Sequence, residues 1–300
     1  MEYYAGPTPA ARIVTKKAHP NRSKFEMRLI TKEVLHVDPE LLKSVSDFVP
    51  NTTKEQLFNP TANAIGRGVG GIFAWIFQKP IKYGIIKEKE FADLANKTSD
   101  ELKKIPEENK DDSKKGLSIK TLESAKYSMD NEQLRRWFAK LLSSTVDNRV
   151  NKIVSPLFPT VLSNMSPTDA KFLYLLKSKN TIPVLILAAN VKNNPGQSVP
   201  ITHEIVDESY PGNTHRYGDF GSQIDFLSSF GIIESSTSFL GNTSLVSAAA
   251  KASYNSIKST NLFKHAESKY APEGYNITVV EGYAKLTSLG ESFIDVAMPK

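Results

Sequence analysis

The sequence predicts a mainly α protein, in which a helical N-terminal domain is followed by a winged-helix-like α+β C-terminal domain. Three observations predict it. Apolar residues recur at helical spacing between about 60 and 176. Capping residues, prolines and glycines punctuate that pattern where helices would start and stop. Near the C-terminus a partly alternating stretch, 276–285, runs into a capped final helix, as a wing strand would.

The elements follow in order. Residues 1–55 read as a basic, weakly structured arm, punctuated by Pro7, Pro9 and Pro20 and carrying Arg12, Lys16, Lys17, Arg22, Lys24 and Arg28. A short strand or helix is expected over Phe25–Leu35. The helical domain spans 56–165. Its first helix carries Ala62, Gly66, Gly70 and Ala74 at intervals of four, a small-residue face that lets another backbone approach. Pro80 breaks or bends it. Ile86, Phe91, Leu94, Leu102 and Ile105 mark a second helix stopped by Pro106, and Glu107–Lys115 reads as an exposed charged loop. Asp130 caps the clearest helix, with Gln133 three residues on. Leu134, Trp137, Phe138, Leu141, Leu142 and Val146 form its apolar stripe, with Arg135, Arg136 and Lys140 off it.

The C-terminal domain spans 166–300. Ser166, Pro167 and Asp169 announce a helix carrying Phe172, Leu173 and Leu176 inward. A short helix is expected over Asp219–Phe230, ended by Gly231. Glu234–Ser244 reads as a loop, Ala248–Ser268 as helical and Asn276–Lys285 as a strand. Thr287 then caps a helix with Leu289, Phe293, Ile294 and Val296.

Composition bounds the function. The 300 residues are 40% apolar and 23% charged, which excludes a disordered chain and a membrane bundle. Cysteine is absent, so disulfides, thiolate metal sites and cysteine nucleophiles are excluded. Met1–Ala11 has no apolar run behind a basic start, and no secretory signal is expected. The longest uncharged apolar stretch, Gly68–Gln78, is about half of what spans a bilayer. The expected location is cytoplasmic, peripheral at the membrane if any surface is contacted. The net charge of +6 is the sum of +7 over residues 1–165, with 27 Lys/Arg against 20 Asp/Glu, and −1 over 166–300, with 11 against 12. A dedicated DNA binder concentrates its charge more strongly.

Four segments together resemble the abortive-infection alpha family of bacterial and phage-encoded proteins. They are Ala64–Gly71, Glu132–Ser144, Leu162–Lys171 and Leu286–Ile294. Their order covers about 60–300. The resemblance implies a link to phage resistance. It implies no catalytic residues and no cofactor.

Each motif has a bland reading and a sharper one. Gly66-Arg67-Gly68-Val69-Gly70-Gly71 satisfies G-x-G-x-x-G, but no strand precedes it, so close helix packing is preferred to nucleotide binding. His203, Asp207 and His215 have the chemistry of zinc ligands, but solvated loop residues are the preferred reading. No serine sits in a G-x-S-x-G elbow. The candidate recognition helix, 219–227, carries two aspartates and no base, which disfavours DNA reading. Residues 67–87 hold Arg67, Lys79, Lys82 and Lys87 and no acid, beside Phe73, Trp75, Phe77 and Tyr83. Such a segment suits a membrane interface, but core apolars with solvated lysines are the preferred reading. Exposure of Trp75 and Phe77 would favour the interface and full burial would end it.

The expectation is therefore a protein that acts by binding, without catalysis. The partner is a phage or host protein, or a second copy of the chain, met through the Trp137 helix or the Gly66–Phe77 helix. A membrane surface is the alternative, and nucleic acid is less favoured. The candidate interaction residues are Arg67, Trp75, Phe77, Lys79, Lys82, Tyr83, Arg135, Arg136 and Lys140. No metal and no cofactor are expected.

Overall fold

The computed structural model describes residues 43, 46–58, 64–179, 181–192, 194–212, 214–237 and 248–299. The arm's expected element at Phe25–Leu35 and its basic residues Arg12–Arg28 lie outside these. Residues 51–58 form a short helical turn that runs into the first layer of the core.

Five helices build the N-terminal half: α1 Ala64–Lys82, α2 Glu88–Lys103, α3 Lys115–Ala125, α4 Glu132–Thr145 and α5 Phe158–Asn164. Helix α1 is apolar on the side formed by Val69, Ile72, Phe73, Ile76 and Phe77, all buried. Phe73 and Phe77 meet Phe58 and Phe91 in one aromatic cluster, with centroids 5.6–6.5 Å apart. Gly70 sits at the closest approach. A Cβ there would lie 1.7 Å from the Leu57 carbonyl oxygen, so the small-residue face does serve backbone approach. Pro80 does not stop α1, which continues two residues further. The helix ends at Gly84, whose φ of 67° is the left-handed conformation open to glycine.

Helix α4 is the central rod. Asn131, one residue after the expected Asp130, is its cap and accepts from the Leu134 N–H at 3.1 Å. Its stripe of Leu134, Trp137, Phe138, Leu141 and Leu142 is buried, because α2, α3, α5 and a C-terminal helix pack around it. Helix α3 was not foreseen. Its sequence, Lys-Gly-Leu-Ser-Ile-Lys-Thr-Leu-Glu-Ser-Ala, has only a weak apolar face. Ser118 and Thr145 instead join α3 to α4 by a buried hydroxyl pair at 2.6 Å.

In the C-terminal half, α6 Pro167–Lys179 starts with a reciprocal box: the Asp169 N–H donates to Ser166 Oγ and the Ser166 N–H to Asp169 Oδ2. Then come β1 Thr181–Val191, β2 Asn194–Pro200, β3 Ile205–Asp207, β4 Tyr217–Asp219 and α7 Gly221–Ser229. The chain continues through β5 Ile233–Thr237, α8 Ala248–Ser256, α9 Asn261–Tyr270, β6 Tyr275–Leu286 and α10 Ser288–Ala297. The segment expected as a loop from Glu234 thus begins as strand β5; 238–247 lie outside the described residues. The sheet is antiparallel in the order β4-β3-β1-β6-β5, with β2 beside the far end of β1.

Strand β1 pairs with β6 from Thr181–Lys285 through Val191–Tyr275. It is buried on both faces. Ile182 and Val184 join the main core, while Leu185 and Leu187 pack with Tyr254, Ile257 and Phe263 of the α8–α9 side. The main core is continuous from Val49 to Met298. Phe293 of α10 packs on Trp137 and Phe158, and Ser144 Oγ donates to the Val296 carbonyl at 2.8 Å.

Candidate functional site

Two places concentrate chemistry. The first is the polar knot at the β3–β4 hairpin. Asp207 is 1% exposed, and every direction around its carboxylate is occupied. Oδ1 accepts from the Ser209 and Arg216 N–H groups at 3.1 and 3.2 Å. Oδ2 meets His215 Nδ1 at 2.6 Å and accepts from Ser253 Oγ at 3.0 Å. Burial pushes the neighbouring Lys179 down, partly opposed by the charge of Asp207. Burial also pushes Tyr217 up to about 12; its hydroxyl donates to the Ser253 carbonyl.

The knot therefore ties α8 to the hairpin. His203 is not part of it: it is exposed and lies against Gly221. The reading of all three as solvated loop residues holds for His203 but not for Asp207, which is buried and meets His215, and the three side chains do not come together as a ligand set. No group of three His, Asp or Glu side chains fit for a metal occurs among the described residues. A carboxylate-held imidazole can act as a base, but no described hydroxyl is hydrogen-bonded to it; Ser253 is bonded to the carboxylate instead.

The second place is the knuckle that ends α1. Positions 68, 75, 79 and 82 share one helical stripe. The opposite side is core, so this stripe faces out. Trp75 is 38% exposed and Phe77 is 0%. The pair divides: Phe77 belongs to the aromatic core and drops out of any docking surface, whereas Trp75 stays at the surface. Lys79 and Lys82 are exposed and form no ion pair among the described residues.

Beyond the last turn, the Tyr83 N–H donates to the Lys79 carbonyl and the Gly84 N–H to the Ile81 carbonyl. The Ile85 and Ile86 N–H groups both reach the Pro80 carbonyl, at 2.9 and 3.2 Å. Ile86 is buried and anchors the turn. The left-handed Gly84 then throws its two neighbours outward, leaving Tyr83 70% and Ile85 75% exposed. The sequence pointed to Trp75, Lys79, Lys82 and Tyr83 but missed Ile85. Sequence could not have assigned the two isoleucines, because the residue directly after a C-cap glycine is the usual anchor, whereas here Ile86 is buried and Ile85 projects.

The basic residues of α4 behave differently. Arg135 has 11% of its side chain exposed, and its Nε donates to Asp93 Oδ2 at 2.6 Å. Arg136 pairs with Glu132 at 3.0 Å, and Lys140 faces Glu101 at 3.9 Å. These cations hold α4 to α2 or run along its surface. The Trp137 stripe has no free face to offer a partner, because it is fully consumed in the core. The Gly66–Gly71 run lies within α1, where Gly70 abuts Leu57, so it forms no phosphate-cradling loop. The side chain of Arg67 is outside the described set.

Fold and sites together define a helical scaffold closed by an antiparallel sheet, with an aromatic-and-basic knuckle projecting at the end of α1. The family model for abortive infection alpha matches residues 86–297, and the chain belongs to that family. The match begins just after the knuckle, so the glycine-rich stretch at 64–71, one of the four resembling segments, lies outside it. No curated protein and no solved structure matches the chain.

Proposed function

We propose that this protein is a non-catalytic effector of abortive infection that works by docking the α1 knuckle onto a partner. The observation that carries this reading is the projection of Tyr83 and Ile85, with Trp75, Lys79 and Lys82 beside them. Large apolar groups are held out of a well-packed core by a turn whose own N–H groups are all bonded, which gives a rigid surface without a folding role. Family membership supplies the phage-resistance context. The polar knot around Asp207 supports the non-enzymatic part, because its hydrogen bonds go to closing the hairpin and to holding Ser253 of α8.

The test is phage restriction in cells expressing the protein. Tyr83→Ser/Ile85→Ser should lose restriction, with plaque counts rising toward those of an empty strain, while its melting temperature stays at the parent value. Unchanged restriction by that variant defeats the reading.

Nucleic-acid binding is the weaker alternative. What supports a winged-helix-like reading is the order α6, β1, α7, β5, β6, with α8 and α9 inserted before β6. The helix in the recognition position, α7, carries Asp225 and no basic residue, which opposes phosphate.

A further inference from the structure

We infer that the partner of the α1 knuckle is an anionic phospholipid surface; this rests on the reading that the knuckle is the working surface. Three features of the knuckle point to lipid. Its exposed apolar groups are one tryptophan, one tyrosine and one isoleucine within eleven residues, and the ring types are those that settle at the bilayer–water boundary. Of its cations, Lys79 and Lys82 lie on the Trp75 stripe, exposed and unpaired among the described residues, and Lys87 and Lys89 follow in sequence, both exposed.

The nearby acids weaken this little. Glu90 is 13% exposed and folds back on the Lys87 N–H at 3.4 Å, and Lys87 Nζ reaches it at 3.6 Å. Glu88 is exposed but sits in the first turn of α2, next to the positive helix end. Anionic headgroups complement this balance. The third feature is the backbone. The N–H groups of 83 to 86 are all bonded within the turn, so pressing it into the headgroup layer strips no backbone N–H of its partner. No helix among the described residues is long and apolar enough to cross a membrane. The contact is therefore interfacial and reversible.

The probe is vesicles of equal parts phosphatidylglycerol and phosphatidylcholine, sedimented with the full chain, against vesicles of phosphatidylcholine alone. Binding to the mixed vesicles should fall on the order of tenfold in Lys79→Gln/Lys82→Gln and in raised salt. It should fall at least as far in Tyr83→Ser/Ile85→Ser. The protein has two tryptophans. In a Trp137→Phe background, Trp75 emission should shift to the blue when mixed vesicles are added.

No sedimentation with mixed vesicles overturns the lipid partner, as does binding that ignores both variants. If such a failure comes with loss of restriction in Tyr83→Ser/Ile85→Ser, the knuckle still works but on a protein. If that variant loses vesicle binding yet restricts phage normally, lipid docking exists and the proposed function is what fails.

Discussion

At Gly70 the room for a methyl group is already taken by the Leu57 carbonyl. Gly70→Ala should therefore force α1 off the 51–58 turn and cost about 1–3 kcal/mol in urea denaturation. A neutral effect there would mean the approach is looser than described. Gly84 raises a different problem, since its surroundings are empty and only its φ of 67° excludes side chains. Gly84→Ala should cost about 1 kcal/mol and also reorient Tyr83 and Ile85. Asp207 is the most heavily committed polar side chain. Asp207→Ala leaves His215, Ser253 and two N–H groups without their acceptor, and should cost about 3 kcal/mol or more by the same assay.

Among the elements, the α2–α4 contact carries a polar centre that pH can probe. Burial pushes the Asp93 carboxyl up, but Lys97 and Arg135 outweigh it and hold the group below its ordinary value. The folded state therefore binds this proton more weakly than the unfolded chain. Its contribution is present above the unfolded pKa of about 3.9 and is lost as pH falls through the folded value. Asp93→Asn should lower the melting temperature at neutral pH and have little effect in strong acid. An equal loss at both would place the cost in packing. The starts of α6 and α10 are legible, because each is set by a local cap, Ser166 with Asp169, and Thr287, whose Oγ1 accepts the Gly290 N–H at 3.0 Å, whereas at α4 the sequence points to Asp130 and the cap is its neighbour Asn131. Strands β2 to β5 are not legible. Their pairing is long-range, β2 and β3 with β1, β4 with β3 and β5 with β6, and the apolar run 181–191, nearly unbroken because both faces are covered, carries a strand signal that periodicity alone does not separate from a helix. Strand β5, Ile-Glu-Ser-Ser-Thr, is read as loop until β6 supplies its partner.

The whole molecule explains which candidate residues can act. One core runs through both halves of the chain, and it absorbs the Trp137 stripe, Phe73 and Phe77. Amphipathicity in a sequence cannot tell a stripe that meets the core from one that meets a partner, so Phe77 and Trp75 looked alike until α1 had an inside. Ion pairing across α2 and α4 likewise occupies Arg135 and Lys140. Of the large apolar groups the core leaves exposed, which also include Tyr127 and Val199, the knuckle gathers three: Trp75, Tyr83 and Ile85. The His215 imidazole is the main rival, as it is the group here most able to do acid–base work.

The two are separated by a single assay of phage restriction at matched thermal stability. His215→Asn removes the imidazole while keeping an N–H that can donate to Asp207, whereas Tyr83→Ser/Ile85→Ser removes the knuckle. Restriction that survives the first substitution and disappears with the second is the predicted result. Restriction abolished by His215→Asn and untouched by the knuckle variant would place the function in chemistry at the hairpin and contradict a docking effector.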